Sequence, residues 1–146
     1  MFTQLLKERD SIAAQPVFPQ SINGASGTTG AVDMSLFARC QFLGFVGSLG
    51  GSATVDCRLM ETNEAGGGNA TNIANASITQ ISTANRAFTI EVQAMQMTKR
   101  YLVGVITVGV AASVVGLFPI ATEGRYPPVT NNDNNTVAQR VAVPLS

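Results

Sequence analysis

The longest apolar run of the chain extends from Arg100 to Glu123, and its central part, 102–118, contains no charged residue. A membrane-spanning helix needs about 20 apolar residues, and Lys99 next to Arg100 would resemble its cytoplasmic anchor. The run is nevertheless rich in Val, Ile and Thr, whose branched side chains favour strands. Three glycines also interrupt it, and Pro119 ends the apolar stretch. Strands are therefore favoured over a helix.

We predict two strands here, roughly 100–108 and 112–121, that form the central hairpin of a β-sheet. The small residues at 109–113 would form the turn. Because both faces of this hairpin are apolar, we expect one face to pack in the core and the other against a neighbouring subunit. A small membrane protein that spans 102–118 is the less favoured alternative.

A second hairpin is predicted over residues 39–61. Its outgoing strand, 39–47, is apolar on both faces, which is typical of a central strand. The turn is Ser48–Gly51, where two glycines allow positive backbone angles. Along the return strand, 52–61, Val55, Cys57 and Leu59 alternate with polar residues, as in a half-buried strand.

The other segments complete a pattern of about seven or eight short strands separated by turns. Residues 1–15 have a weak helical pattern and form either a disordered tail or, as we favour, an arm that docks on a neighbour. In the first part of the chain we also predict an edge strand or linker at 17–22, a turn at Asn23–Gly24, a loop at 24–30 and the start of a short strand at 31–34. Further along we predict a short helix or irregular strand at 69–83, a strand at 86–97, a loop at 124–135, and an edge strand or arm at 137–145. The fold class is all-β: an antiparallel two-layer β-sandwich of jelly-roll or Greek-key type. The predicted units are an N-terminal arm (1–20), the sandwich (21–130) and a C-terminal tail (131–146).

Composition narrows the class of partners. Charged residues make up 12% of the 146-residue chain, and its 9 basic and 9 acidic residues give no net charge. Such a chain lacks the basic field that supports binding to nucleic acid, so we expect no nucleic-acid partner. Because the apolar run is interpreted as strands, we also expect no membrane partner. Low charge also suggests that much of the surface is covered in an assembly.

Few residues suggest chemistry. The chain has no histidine, which removes the imidazole base and ligand. The glycine-rich segment 24–30 lacks the Gly-Lys-Ser/Thr ending of a phosphate loop, and 131–135 offers one carboxylate for calcium. Cys40 and Cys57 could pair across the predicted hairpin, but two buried free thiols are favoured. We expect no enzyme, no catalytic residue, no cofactor and no metal.

Several motifs carry a resemblance to a known group of proteins. They are Ser21–Gly24 (SING), 42–62 (FLGFVGSLGGSATVDCRLMET), 99–108 (KRYLVGVITV) and 124–129 (GRYPPV). In this order, across roughly residues 21–129, the chain resembles small structural proteins of tailed phages, namely head decoration, or cement, proteins. Their motifs are patterns of strands and turns, so no functional residue can be transferred one by one.

The resemblance implies a virion protein that binds the assembled capsid surface and stabilises it. Because the segment MFTQLLKERDSIAAQ does not resemble a secretory signal, we expect synthesis in the host cytoplasm. The implied partners are the major capsid protein and further copies of the chain, with a trimer favoured. We predict contacts through Phe2, Leu5, Leu6, Arg125 and Tyr126, because apolar termini, Tyr and Arg are common at interfaces. Alternatives are a head–tail adaptor or tail component, and a carbohydrate-binding sandwich, although Tyr101 and Tyr126 offer a poor sugar platform.

Overall fold

Ten strands and one short 3-10 helix are present in the computed structural model, which describes residues 11–124 and 136–138. The strands are β1 (Ser11–Ile12), β2 (Val17–Ile22), β3 (Ala25–Thr28), β4 (Val32–Asp33), β5 (Phe37–Leu49), β6 (Thr54–Thr62), β7 (Thr71–Ser77), β8 (Arg86–Gln93), β9 (Tyr101–Gly109) and β10 (Ser113–Gly124), and the 3-10 helix is Ala94–Gln96. Within these residues no helix is long and apolar enough to cross a membrane.

The strands form two antiparallel sheets. In sheet A, β10 pairs with β1 and β2 on one side and with β5 on the other, and β8 follows β5. In sheet B, β9 pairs with β3 and β4 on one side and with β6 on the other, and β7 follows β6. The pairings are nested: β6–β7 innermost, then β5–β8, then β3 and β4 with β9, then β2–β10. This is the strand order of a jelly roll, so the predicted all-β sandwich is confirmed.

Both predicted hairpins are wrong in one respect. β5 lies in sheet A and β6 in sheet B, and β9 and β10 are divided in the same way. Each pair is therefore a β-arch, meaning two consecutive strands that lie in different sheets, and the two arches stack. The Gly50 N–H donates to the Ala112 carbonyl (2.9 Å) and so joins their turns. Turn residues mark a change of direction, but they do not determine whether the strands pair or face one another.

The core lies between the sheets and is built from the inward side chains of the alternating strands. The largest fully buried ones include Phe37, Phe42, Leu59, Leu102, Ile106 and Leu117. Two glycines make room for aromatic rings. A Cβ on Gly104 of β9 would lie 2.6 Å from Cε1 of Phe42, and one on Gly44 of β5 would lie 2.1 Å from Cζ of Phe88. The two sheets therefore interlock at Gly104, whereas at Gly44 the ring comes from the paired residue of the neighbouring strand β8 in the same sheet.

The shorter elements agree in part with the sequence analysis. Asn23–Gly24 does form a turn, with Gly24 at φ +59°. Residues 25–28, predicted as a loop, form the edge strand β3. Their side chains are mostly exposed, so no apolar alternation marked them as a strand. Residues 71–77 form the irregular strand that was one of two alternatives for 69–83, and the strand predicted at 86–97 ends at Gln93.

Residues 11–22 supply the first strands of sheet A. β1 and β2 both pair with β10, so of the two alternatives predicted for 17–22 the edge strand is confirmed. Among the described residues, the first strand of the sandwich begins at Ser11. Cys40 and Cys57 are free and buried, one in each sheet. The disulfide that a hairpin would have permitted is therefore not formed. Burial raises the pKa of both thiols, which keeps them protonated and unreactive.

Candidate interaction surface

The five residues predicted to make contacts, Phe2, Leu5, Leu6, Arg125 and Tyr126, lie outside the described residues. The calcium ligands considered at 131–135 lie outside them too. Within the described residues no group of three or more acidic, cysteine or histidine side chains is placed to hold a metal ion. The described surface consists mainly of the outer faces of the two sheets, and these differ from each other.

The outer face of β9 does not provide the neighbour contact predicted for the central hairpin. Val103 and Val105 point away from the core, yet they are 1% and 8% exposed. Gly67, in the connection between β6 and β7, lies over Val103, since a Cβ there would be 3.5 Å from the valine Cγ2. The chain itself thus covers this strand, and the prediction is wrong for β9.

The outer face of sheet B is polar around that covered strip. Asp56 of β6 accepts a hydrogen bond from Gln80 Nε2 (2.9 Å), and the Ser26 and Thr107 hydroxyls are hydrogen-bonded to each other (2.7 Å). Arg58 is exposed on the same side. A hollow of about 330 Å³ opens here between the end of β7 and the β6–β9 pair. Sheet B therefore exposes polar side chains to solvent, as the surface of a soluble β-sandwich usually does.

Sheet A presents the opposite kind of surface. Phe18 of β2, Phe45 of β5 and Val114 of β10 are 48%, 40% and 37% exposed. The Phe118 ring lies between the two other phenylalanines, with centroid distances of 6.3 Å to Phe18 and 6.0 Å to Phe45. Both contacts are edge-to-face, a favourable geometry for aromatic rings. We call the set Phe18, Leu43, Phe45, Val114 and Phe118 the aromatic face.

Strand register places these side chains together. Phe118 lies opposite Leu43, and Gly116 lies opposite Phe45. Successive residues of a strand point to opposite faces, so buried Leu117 and exposed-side Phe118 project in opposite directions. Pro19 lies above Gly116, with a Cγ that would be 3.3 Å from a Cβ at that glycine. Proline is tolerated here because β2 is an edge strand.

The end of this face nearest Gly124 is charged. Arg39 of β5 lies 3.4 Å from Glu91 of β8 and 3.6 Å from Glu123 of β10, measured from guanidinium nitrogen to carboxylate oxygen. One guanidinium thus forms ion pairs with two carboxylates, so the cluster keeps a net charge of −1. The apolar centre with a charged margin matches the anatomy of a protein–protein interface.

Two other polar clusters stabilise the ends of strands. Glu61 of β6 accepts hydrogen bonds from the Thr98 N–H (2.8 Å), the Thr98 hydroxyl (2.6 Å) and the Lys99 N–H (3.2 Å). Burial raises the pKa of Glu61, but these hydrogen bonds outweigh it and the net pKa is lowered. Near the start of β9, two hydrogen bonds from Arg100 lower the pKa of Asp33 to about 2. Both carboxylates are therefore charged near neutral pH and fix the segment before β9.

The aromatic face was not predicted from the sequence. The available signal was the apolarity of both faces of residues 39–47, which also fits a central position in the sheet. β5 does lie between β10 and β8, as that interpretation requires. A central position explains why Phe42 and Val46 are buried, but not why Phe45 is apolar, because its face remains open.

Comparisons with known proteins bear on the fold. No family model matches the sequence, and no curated protein matches it. Among solved structures, the chain is similar to the crystal structure of the PBSX exported protein XepA, with a TM-score of 0.57 and 10% sequence identity. The similarity covers 93% of this chain and 45% of the XepA chain, so this chain spans less than half of that protein's length. At this identity the likeness establishes a shared fold.

Proposed function

We propose that this chain is a non-catalytic structural protein of a tailed-phage virion that binds the assembled capsid and stabilises it. The observation that carries the proposal is the aromatic face, where Phe118 contacts both Phe18 and Phe45 on the outside of sheet A. Contiguous exposed apolar patches on small domains mark sites of protein contact. A charge-poor chain with such a surface is suited to a permanent place in an assembly.

The structural likeness supports the phage part of the proposal. XepA is described as an exported protein of the phage PBSX, and nearly the whole of this chain matches part of it. The sequence motifs at 42–62 and 99–108 resemble head decoration proteins, and both fall within the stacked β-arches of the sandwich.

The physical mechanism is stabilisation by selective binding. A protein that binds the assembled shell, but not its free subunits, stabilises the shell by RT ln(1 + [L]/Kd), about 2.7 kcal/mol per site at 100 times Kd. Apolar burial would supply most of the binding, at about 25 cal/mol per Å² before the costs of association. No chemical step is required of the subunit.

Heads that lack this protein provide the test. Purified protein is added back, the heads are pelleted, and release of DNA is followed during heating. We expect the protein to co-sediment with heads and to raise the temperature of DNA release. Heads that neither bind the protein nor gain heat resistance would refute the capsid role. Quantitative mass spectrometry of virions distinguishes decoration from the alternative, a head–tail adaptor or tail component. About a dozen copies per virion indicate the alternative, and tens to hundreds indicate decoration.

A further inference from the structure

We infer that residues 1–6 of one copy bind the aromatic face of a second copy, so that subunits are joined by exchange of their N-terminal segments. This inference builds on the proposed function, because it names the partner of the surface that carries it. The support comes from the direction of β1, the composition of residues 1–10 and the chemistry of the face.

The pairing of β1 fixes how the chain enters sheet A. Ser11 lies opposite Ala121, and Ile12 lies opposite Ile120, in an antiparallel pair. The chain therefore enters β1 from the Gly124 end of β10. The aromatic face lies in the other direction along β10, around Phe118. The chain thus reaches Ser11 from the end of β10 that lies away from the aromatic face of the same subunit.

A segment that bound its own aromatic face would have to reverse direction. Residues 1–10, MFTQLLKERD, contain no Gly, Pro, Asn or Ser, and Asp10 is their sole residue of a type that favours turns. Ten residues span up to about 33 Å when extended, which is enough to cross to an adjacent subunit. The composition therefore favours a neighbour's face over the segment's own.

The segment and the surface are chemically matched. Residues 1–6 are uncharged and include Met1, Phe2, Leu5 and Leu6, whereas residues 7–10 are all charged. The aromatic face is likewise uncharged, and its margin carries the cluster of Arg39, Glu91 and Glu123. A neighbour's apolar residues would cover the phenylalanines while its charged residues remain at the margin.

Disulfide trapping between two different variants tests the exchange directly. Phe2→Cys protein is mixed with Val114→Cys protein under mild oxidation, and Ser26→Cys, an exposed position on sheet B, replaces Val114→Cys as the matched control. The native thiols do not interfere, since Cys40 and Cys57 are buried. We expect a disulfide-linked dimer with Val114→Cys at a yield at least tenfold above the Ser26→Cys control. Equal yields, or no dimer with Val114→Cys, would overturn the inference.

A double variant distinguishes exchange from self-docking. If the segment binds its own subunit, the Phe2→Cys/Val114→Cys chain forms an intrachain disulfide at high dilution and remains a monomer. Exchange instead predicts linked oligomers whose yield falls on dilution. Dominant intrachain product would therefore refute exchange between subunits.

Self-association of the reduced protein supplies an independent readout. Leu5→Asp/Leu6→Asp is compared with Thr3→Asp/Gln4→Asp, which adds the same charge at polar positions of the same segment. Size-exclusion chromatography with light scattering should show a dissociation constant at least tenfold higher for the leucine variant and little changed for the control. A parent chain that is monomeric at every concentration measured would also contradict the inference.

The two proposals fail in different experiments. Exchange is measured on purified protein without heads, whereas stabilisation is measured on heads. If purified subunits do not exchange segments but still protect heads, the capsid role stands and the inference fails. If subunits exchange segments but do not protect heads, the inference stands and the capsid role fails.

Discussion

Gly104→Ala should destabilise the protein because Gly104 is where the two sheets interlock. A Cβ at this position of β9 would lie 2.6 Å from Cε1 and 2.7 Å from Cδ1 of Phe42, and 2.9 Å from Cδ2 of Leu117. Both neighbours are 0% exposed, so neither side chain can move into solvent. Gly104 belongs to sheet B and both neighbours belong to sheet A, so an added methyl group would push the sheets apart.

The expected cost is that of overpacking a filled core, about 1–3 kcal/mol. For a domain of about 150 residues, 1 kcal/mol corresponds to roughly 2–4 °C in Tm, so Tm should fall by about 2–12 °C. Urea unfolding and thermal unfolding, both followed by circular dichroism, measure the two quantities. Gly51→Ala is the matched control, because a Cβ there meets nothing within 4 Å. Its stability should change by less than about 0.5 kcal/mol.

A double-mutant cycle locates the effect. Phe42→Leu removes the ring atoms that the new methyl group would meet, so the double variant should be more stable than the sum of the single effects predicts, by about 0.5 kcal/mol or more. This coupling exists only if β5 and β9 face each other across the core. Gly104→Ala with the stability of Gly51→Ala, or a cycle with no coupling, would refute the facing of these strands.

Three further substitutions test smaller features. Val110→Asn should raise stability by about 1 kcal/mol in urea unfolding, because Val110 has φ +71° and a branched side chain is strained there. Glu61→Gln should lower it by about 1–3 kcal/mol and speed proteolysis before β9, since an amide cannot accept every hydrogen bond from Thr98 and Lys99. Asp33 has a pKa of about 2 in the folded protein, below its ordinary 3.8. Its contribution to the free energy of unfolding is therefore full above pH 3.8 and is lost as pH falls toward 2. Asp33→Asn should therefore cost about 1 kcal/mol at pH 7 and little at pH 2.

Strand positions could be predicted from the sequence because they depend on local alternation. In β6, Val55, Cys57 and Leu59 point into the core as their spacing predicts, and Phe88 in β8 does the same. The period of two follows from backbone geometry alone, so it requires no knowledge of neighbouring strands. The class of the fold follows from counting such segments.

Strand partners could not be predicted from the same pattern. Inward residues alternate with outward ones whether two consecutive strands form a hairpin or an arch, so Gly50–Gly51 identified a turn without identifying the sheet of the next strand. The strand β3 was missed because an exposed edge strand needs no apolar side chains. The coverage of Val103 depends on a distant loop residue, Gly67, and no local pattern records that contact.

The difference between the two outer faces sets the orientation that we expect for a subunit in the proposed assembly. Val103 and Val105 of sheet B are already covered by the chain itself, whereas Phe45 and Val114 of sheet A are not, and burial of apolar surface is the main favourable term in association. The assembled subunit should therefore turn sheet A toward its neighbours and leave sheet B in solvent. Maleimide labelling in assembled heads should then be slowed at Val114→Cys and unchanged at Ser26→Cys, relative to the dilute protein. Protection at Ser26→Cys alone would show that assembly uses the polar sheet, and that the exposed phenylalanines do not direct it.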